Sequence, residues 1–227
     1  MLASTLRAVI LLYLALFAQA SLFALSTWAI TAALGGRATA ARLGVLRVFR
    51  FKRAGSEVEI GLLPLSVSVT LLGRGPTDTY DGPDSFRRLG LGRRLAITLA
   101  PWALTLLVAV VCLAPARAFA SFAHAFPQLL FVLDPTPLVR GFLRLVTAEP
   151  WFVVVGVLYA KVTAMNLLPL WTLAGGAALQ EIAVTLRPPS KPEGEAPPAA
   201  WAVTSMLFLL FFIGGRFAYA LVRALLG

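Results

Sequence analysis

Apolar and polar positions along this chain segregate into long uncharged runs separated by short polar stretches. The first run, Ala8 to Gly36, contains no charged residue. A helix needs about 20 such residues to cross a hydrocarbon core of about 30 Å, so a membrane helix is expected over about 8–34. Ala18-Gln19-Ala20 looks like a signal-peptidase site, but the apolar run continues well past it, which points to an uncleaved helix. A second uncharged run predicts a span over 95–116, a third apolar stretch one over 151–180, and a fourth one over 201–227. The stretch from Phe119 to Val132 is short, and prolines 127, 135 and 137 interrupt its surroundings, so it reads as interfacial or partly re-entrant. Residues 186–200 form a polar, proline-rich linker.

Between the first two spans the period shifts from helical to strand-like. Val45–Phe51 alternates imperfectly, Val58–Leu63 is rich in strand formers, and Leu65–Leu72 alternates cleanly. Gly55 offers a turn after the first run, and Pro64 separates the second from the third. The expectation is a small antiparallel sheet over about 45–73, lying at the cytoplasmic membrane face.

Composition agrees with a membrane protein. The chain is 59% hydrophobic with a mean hydropathy of +0.84 and only 13% charged, whereas soluble domains are roughly 45–50% apolar and about 25% charged. Its 227 residues suit one compact membrane domain. The single cysteine, Cys112, excludes an internal disulfide, and the single histidine, His124, lacks the companions a histidine-based metal site needs.

The net charge of +10 does not point to nucleic acid, because eleven of the twenty basic residues lie between Arg37 and Arg94. A basic block between two apolar runs is the signature of a cytoplasmic loop. Residues 37–94 are therefore expected in the cytoplasm, with the N-terminus, the 117–150 loop and the C-terminus outside. Contact of this block with anionic headgroups fits the same charge. Usage rich in Arg, Ala and Leu suggests a bacterial source, and hence the cytoplasmic (inner) membrane.

One motif carries chemistry. Asn166-Leu-Leu-Pro169-Leu-Trp-Thr-Leu173-Ala174-Gly175-Gly176 resembles the third-helix signature of the site-2 protease family of intramembrane zinc metalloproteases, Asn-x-x-Pro-x-x-x-Leu-Asp-Gly-Gly. The resemblance extends to Gly44-Val45, to Pro64-Leu65 ahead of Ser66 and Val67, to Ser85-Phe86 and to Arg93-Arg94-Leu95-Ala96-Ile97, covering residues 8 to about 185 in order. It implies a mostly helical integral membrane core over 1–185, with about four spans counting the C-terminal helix and a β-hairpin between helices one and two.

The same resemblance implies a zinc site that this chain cannot furnish. Counting back from Gly44-Val45 places the family's His-Glu-x-x-His pentad on Ala32-Ala33-Leu34-Gly35-Gly36. Two histidines four apart would share one helical face and one zinc, and the glutamate would activate the metal-bound water. Those roles fall on Ala32, Gly36 and Ala33, and the aspartate ligand falls on Ala174. None offers a donor atom or a base, so no zinc or other cofactor is expected.

The resemblance therefore implies a pseudoprotease, which binds a transmembrane segment or a membrane partner without cutting it. The alternatives are an active metalloprotease completed by another subunit, or a purely structural subunit of a membrane complex. In active members of the family the hairpin edge and the Asn-x-x-Pro region hold substrate as an added strand, which implies a groove at Ser66, Val67, Asn166, Pro169, Gly175 and Gly176. Expected partners are the lipid bilayer and a single-span membrane protein or complex subunit, and not nucleic acid. Lys161 is the one charge inside a span, which marks it as a candidate functional charge or as a snorkelling side chain. Ala32, Gly36 and Ala40 read as a small-x-x-x-small helical series for close packing. Asn166 is expected to bond neighbouring backbone, since a polar group away from water needs partners.

Overall fold

A computed structural model describes residues 2–53, 56–74, 80–130, 134–170, 173–186, 204, 207, 208 and 214–226. These are mostly helical, with a small antiparallel sheet. Two helical stretches are long and apolar enough to cross a membrane, Leu6–Ala33 and Leu91–Leu113. The chain divides into two compact units: Leu12–Thr105 with Ala178–Ala196, and Met1–Leu11 with Leu106–Ala177 and Pro197–Gly227.

The first unit takes helix α1 (Leu2–Ala33) from Leu12 on, strands β1 (Ala38–Arg53) and β2 (Ser56–Leu71), a 3-10 turn (Phe86–Arg88) and helix α2 (Leu91–Leu113) as far as Thr105. A sequence pattern stops α1. Gly35 takes φ +85°, the amide of Gly36 donates to Thr31 O at 2.9 Å, and that of Gly35 donates to Ala32 O at 3.2 Å. This is a Schellman closure, which satisfies the last carbonyls of a helix and requires a left-handed residue best supplied by glycine.

The strands form one long hairpin, with Ala38 opposite Leu71, Val45 opposite Leu63 and Arg53 opposite Ser56. At its base Ala38, Leu71, Phe86, Leu89 and Ile97 make a buried cluster, against which Trp28, Ile30, Leu34 and Val69 pack. From there the hairpin runs back along α1 to Tyr13, whose hydroxyl donates to Leu62 O at 2.9 Å. Tyr13 lies 20 residues before Ala33, about 30 Å of helix at 1.5 Å per residue.

Near Tyr13 the hairpin bends. Gly44 sits at φ +84° and Leu46 at φ +58°, and a Cβ on Gly61 would collide with Val45 O. Two backbones meet here at a distance only glycine permits. Past the bend the strands fold back: Ala40 to Leu43 pair with Thr70 to Val67 on one edge and with Glu57 to Ile60 on the other. The hydroxyl of Ser56 donates to Ala38 O at 3.0 Å, fastening the returned end to the base.

In the second unit, α3 (Pro115–Leu130) packs against α5 (Trp151–Asn166), and α4 (Thr136–Ala148) packs against α7 (Arg216–Leu226) and α5. A Cβ on Gly156 would press on Leu113 and Cys112, so the end of α2 meets α5 at small-residue distance. Helix α6 (Ala174–Leu186) begins in this unit and continues in the other.

Several expectations are corrected. The third apolar stretch, 151–180, is not one helix: α5 ends at Asn166 and α6 begins at Ala174. Pro64 does not separate two strands, because β2 runs through it from Ser56 to Leu71, and β1 begins at Ala38 rather than 45. Ala32, Gly36 and Ala40 are not a helical series, since α1 stops at Ala33 and Ala40 belongs to β1. The sheet is not confined to the end of α1, as the bond from Tyr13 to Leu62 demonstrates. Helix α4 was not foreseen; Pro137 near its start and the bond from Thr136 N to Asp134 Oδ1 at 2.9 Å are its start signals. The expected linker over 186–200, apart from Leu186, and residues 201–203, 205, 206, 209–213 and 227 of the expected fourth span lie outside the described residues.

Candidate functional site

The residues singled out by the motif fall in both units. In the second, Asn166 is the last residue of α5, and its Nδ2 donates to Val162 O at 2.9 Å, one turn back. The chain then leaves the helix through Leu167–Leu173, held by Leu168 N to Met165 O at 3.2 Å, Leu170 N to Leu168 O at 2.8 Å and Leu173 N to Leu170 O at 2.9 Å. Pro169, exposed in this break, cannot donate to a preceding turn. Leu168 is buried and anchors the break.

Gly175 explains why the motif ends in glycine. A Cβ there would collide with the carbonyl oxygens of Leu167 and Leu168, so the first turn of α6 folds back onto the break only without a side chain. Gly176 is buried beside it, and Ala174 is half-buried at the first position of α6. Lys161, half-buried on α5, donates from Nζ to Gln128 Oε1 on α3. Its neighbour Thr163 is buried.

In the first unit, Ala32 and Ala33 close α1, and Gly36 lies beyond the helix in the Schellman turn. Positions 32 and 36 therefore do not share a helical face. A side chain at 36 would meet Thr31 Cγ2 at 3.0 Å and Leu89 Cδ1 at 3.3 Å. The donor set at Ala32, Ala33, Gly36 and Ala174 does not fit zinc, because none of the four side chains bears a lone pair. Among the described residues no group of three or more His, Cys, Asp or Glu comes together. His124 is exposed on α3.

Ser66 is exposed and Val67 half-buried on β2, where Val67 faces Leu43. Val67–Thr70 pair with β1 on one edge, and among the described residues no strand covers the other. The bend of the hairpin is apolar and exposed, with Val45, Leu46, Leu62 and Leu63 open. Ion pairs hold the returned part: Arg42 Nε of the outgoing strand bonds Glu59 at 2.6 Å, Arg47 Nη1 bonds Glu59 at 3.2 Å, and Arg50 bonds Glu57. The Arg42 bond, with that of Arg47, holds the Glu59 carboxyl below its usual range, and the Arg50 bond does so for Glu57.

Sequence reading missed a second charged cluster. Arg94, at the start of α2, bonds Glu181 of α6 at 3.0 Å and Thr185 at 2.8 Å, with both partners of the ion pair mostly buried. Arg74 stacks 4.8 Å from the Phe86 ring centroid, and burial lowers its guanidinium pKa while Glu181 opposes that shift. The spacing of 87 residues between Arg94 and Glu181 left no local signal. Compared with models of known protein families the chain matches none, and no curated protein matches it.

Proposed function

We propose that this chain is a membrane-embedded, non-catalytic relative of the site-2 proteases, a pseudoprotease that receives an extended transmembrane segment or a membrane partner. The observation that carries this reading is the pairing of an uncovered strand edge at Val67–Thr70 with donor-free residues at every position assigned to zinc and its base. Strand addition needs only main-chain donors and acceptors, so losing the metal ligands leaves it intact. The break after Asn166, through Leu167–Leu170, supports the same reading, because irregular backbone at membrane depth is tolerated where it lines a cavity or is buried in protein.

In this reading α1 and α2 cross the cytoplasmic membrane of a bacterium, and α5, α6 and the C-terminal segment complete the four-span core. The basic block of residues 37–94 faces the cytoplasm. Because the hairpin follows α1 as far as Tyr13, its bend dips into the bilayer, where Val45, Leu46, Leu62 and Leu63 meet lipid. Folding back returns Arg50, Glu57 and Glu59 beside Arg42, toward the water-exposed base, where charge is cheaper. The ion pair of Arg223 with Asp134 at 3.8 Å supports placing the C-terminal helix on the same side as the 117–150 loop.

Photoreactive residues at Ser66, Val67 and Asn166 test the proposal. The expected result is capture of one single-span protein of full length at Ser66 and Val67, with no capture from a control probe at Arg117. Capture of lipid alone, or of nothing, overturns it.

A further inference from the structure

Away from the motif, α4 and α7 enclose a cleft of about 310 Å³ lined by Asp134, Thr136, Pro137, Arg140, Gly141, Arg144 and Arg223. Arg140 and Arg144 stand four apart on one face of α4, and Arg223 faces them from α7. Among the described residues, three guanidiniums thus share a cleft with one carboxylate, that of Asp134. That carboxylate is already engaged, accepting the Thr136 amide at 2.9 Å and lying 3.8 Å from Arg223. Like charges four apart on a helix repel. The Thr136 side chain is buried, on a residue that is only 4% exposed, beside that carboxylate. A cleft with three guanidiniums and one engaged carboxylate is complementary to an anion.

We infer that this cleft binds a phosphate group, carried by an anionic lipid headgroup or free in solution, through the forks of Arg140, Arg144 and Arg223. Guanidinium forks match phosphate oxygens two at a time. The volume accommodates a phosphodiester with its flanking glycerol. The helices themselves favour the interface: Leu138, Phe142, Leu145 and Val146 lie on the covered side of α4, while Arg140, Arg144 and Thr147 are exposed. Such one-sided basic helices lie at the headgroup level of a bilayer. This inference does not depend on the pseudoprotease reading.

The test is calorimetric titration of the full chain in neutral detergent with three probes: short-chain phosphatidylglycerol, inorganic phosphate and an oligoglutamate peptide. Saturable binding of phosphatidylglycerol, weakened at least about tenfold in R140Q/R144Q and unchanged in R117Q, supports the site with a lipid source. The same dependence for inorganic phosphate, with phosphatidylglycerol binding no better, supports it with a soluble source. R140K/R144K keeps the charge and loses the forks, so it must also weaken binding if the arginine geometry matters; it serves where the glutamine variant does not fold. No saturable binding of either phosphate probe, equal loss in R117Q, or binding of oligoglutamate alone overturns the inference.

Discussion

The carbonyl of Thr31 receives the amide of Gly36 at 2.9 Å, closing α1 at the five residues that the proposed resemblance aligns with a zinc-binding pentad. Gly35 at φ +85° makes that closure possible. These five residues form a helix stop, in which Gly35 supplies the left-handed turn.

Placing metal-binding side chains at the four aligned positions is therefore not expected to create a metal site. The variant A32H/A33E/G36H/A174D is expected to hold no more zinc than the unaltered chain when metal content is measured after dialysis. A histidine at 36 stands off the helix and crowds Thr31 and Leu89. One zinc per chain in that variant would refute this account of the turn.

The close approach at Gly175 makes a sharper stability prediction. Gly175→Ala forces a methyl against the Leu167 and Leu168 carbonyls and is expected to cost about 3 kcal/mol. Gly92→Ala, in open space within α2, is expected to change sign and stabilise by up to about 1 kcal/mol. Thermal unfolding in detergent separates the two.

Arg94 and Glu181 are the pair whose removal should be felt most. Arg94→Ala leaves Glu181 mostly buried without its cation, at a cost of about 3–5 kcal/mol. Replacing both by leucine and methionine is expected to recover most of that loss. Denaturant midpoints of the two variants decide it.

The returned part of the hairpin should respond to acid. Arg50 lowers Glu57, and Arg42 with Arg47 lowers Glu59, so both carboxyls bind protons more readily when unfolded. Their contribution is complete above the ordinary value of 4.5 and is lost as pH falls through the lowered native values. Amide exchange of Ala40–Leu43 against Glu57–Ile60 is expected to quicken below about pH 4, before that of Val67–Thr70. Simultaneous loss of both edges would show that the charges do not hold the fold-back.

The uncharged runs made α1 and α2 legible in the sequence, because lipid-crossing helices are constrained by length and by freedom from charge. The alternation at Leu65–Leu72 likewise announced a strand. Pro64 misled because proline is tolerated in a strand where its missing amide owes no ladder bond. The break in the third stretch was written in Asn166 and Pro169, but an unbroken apolar composition outweighed both. The fold-back of the hairpin and the Arg94–Glu181 pair join residues far apart in sequence, and no local pattern encodes them. At the candidate site the residue types were legible, whereas the end of the helix before Gly36 rested on a left-handed glycine that the small-residue series concealed.

The most direct test of the central claim is reconstitution of the purified chain in vesicles with a single-span membrane protein that crosslinks through Ser66. Intact mass is then read with and without a zinc chelator. The account predicts a crosslinked partner of full length and no chelator-sensitive fragment. A fragment cut within the membrane segment, formed with zinc and suppressed by the chelator, would contradict it.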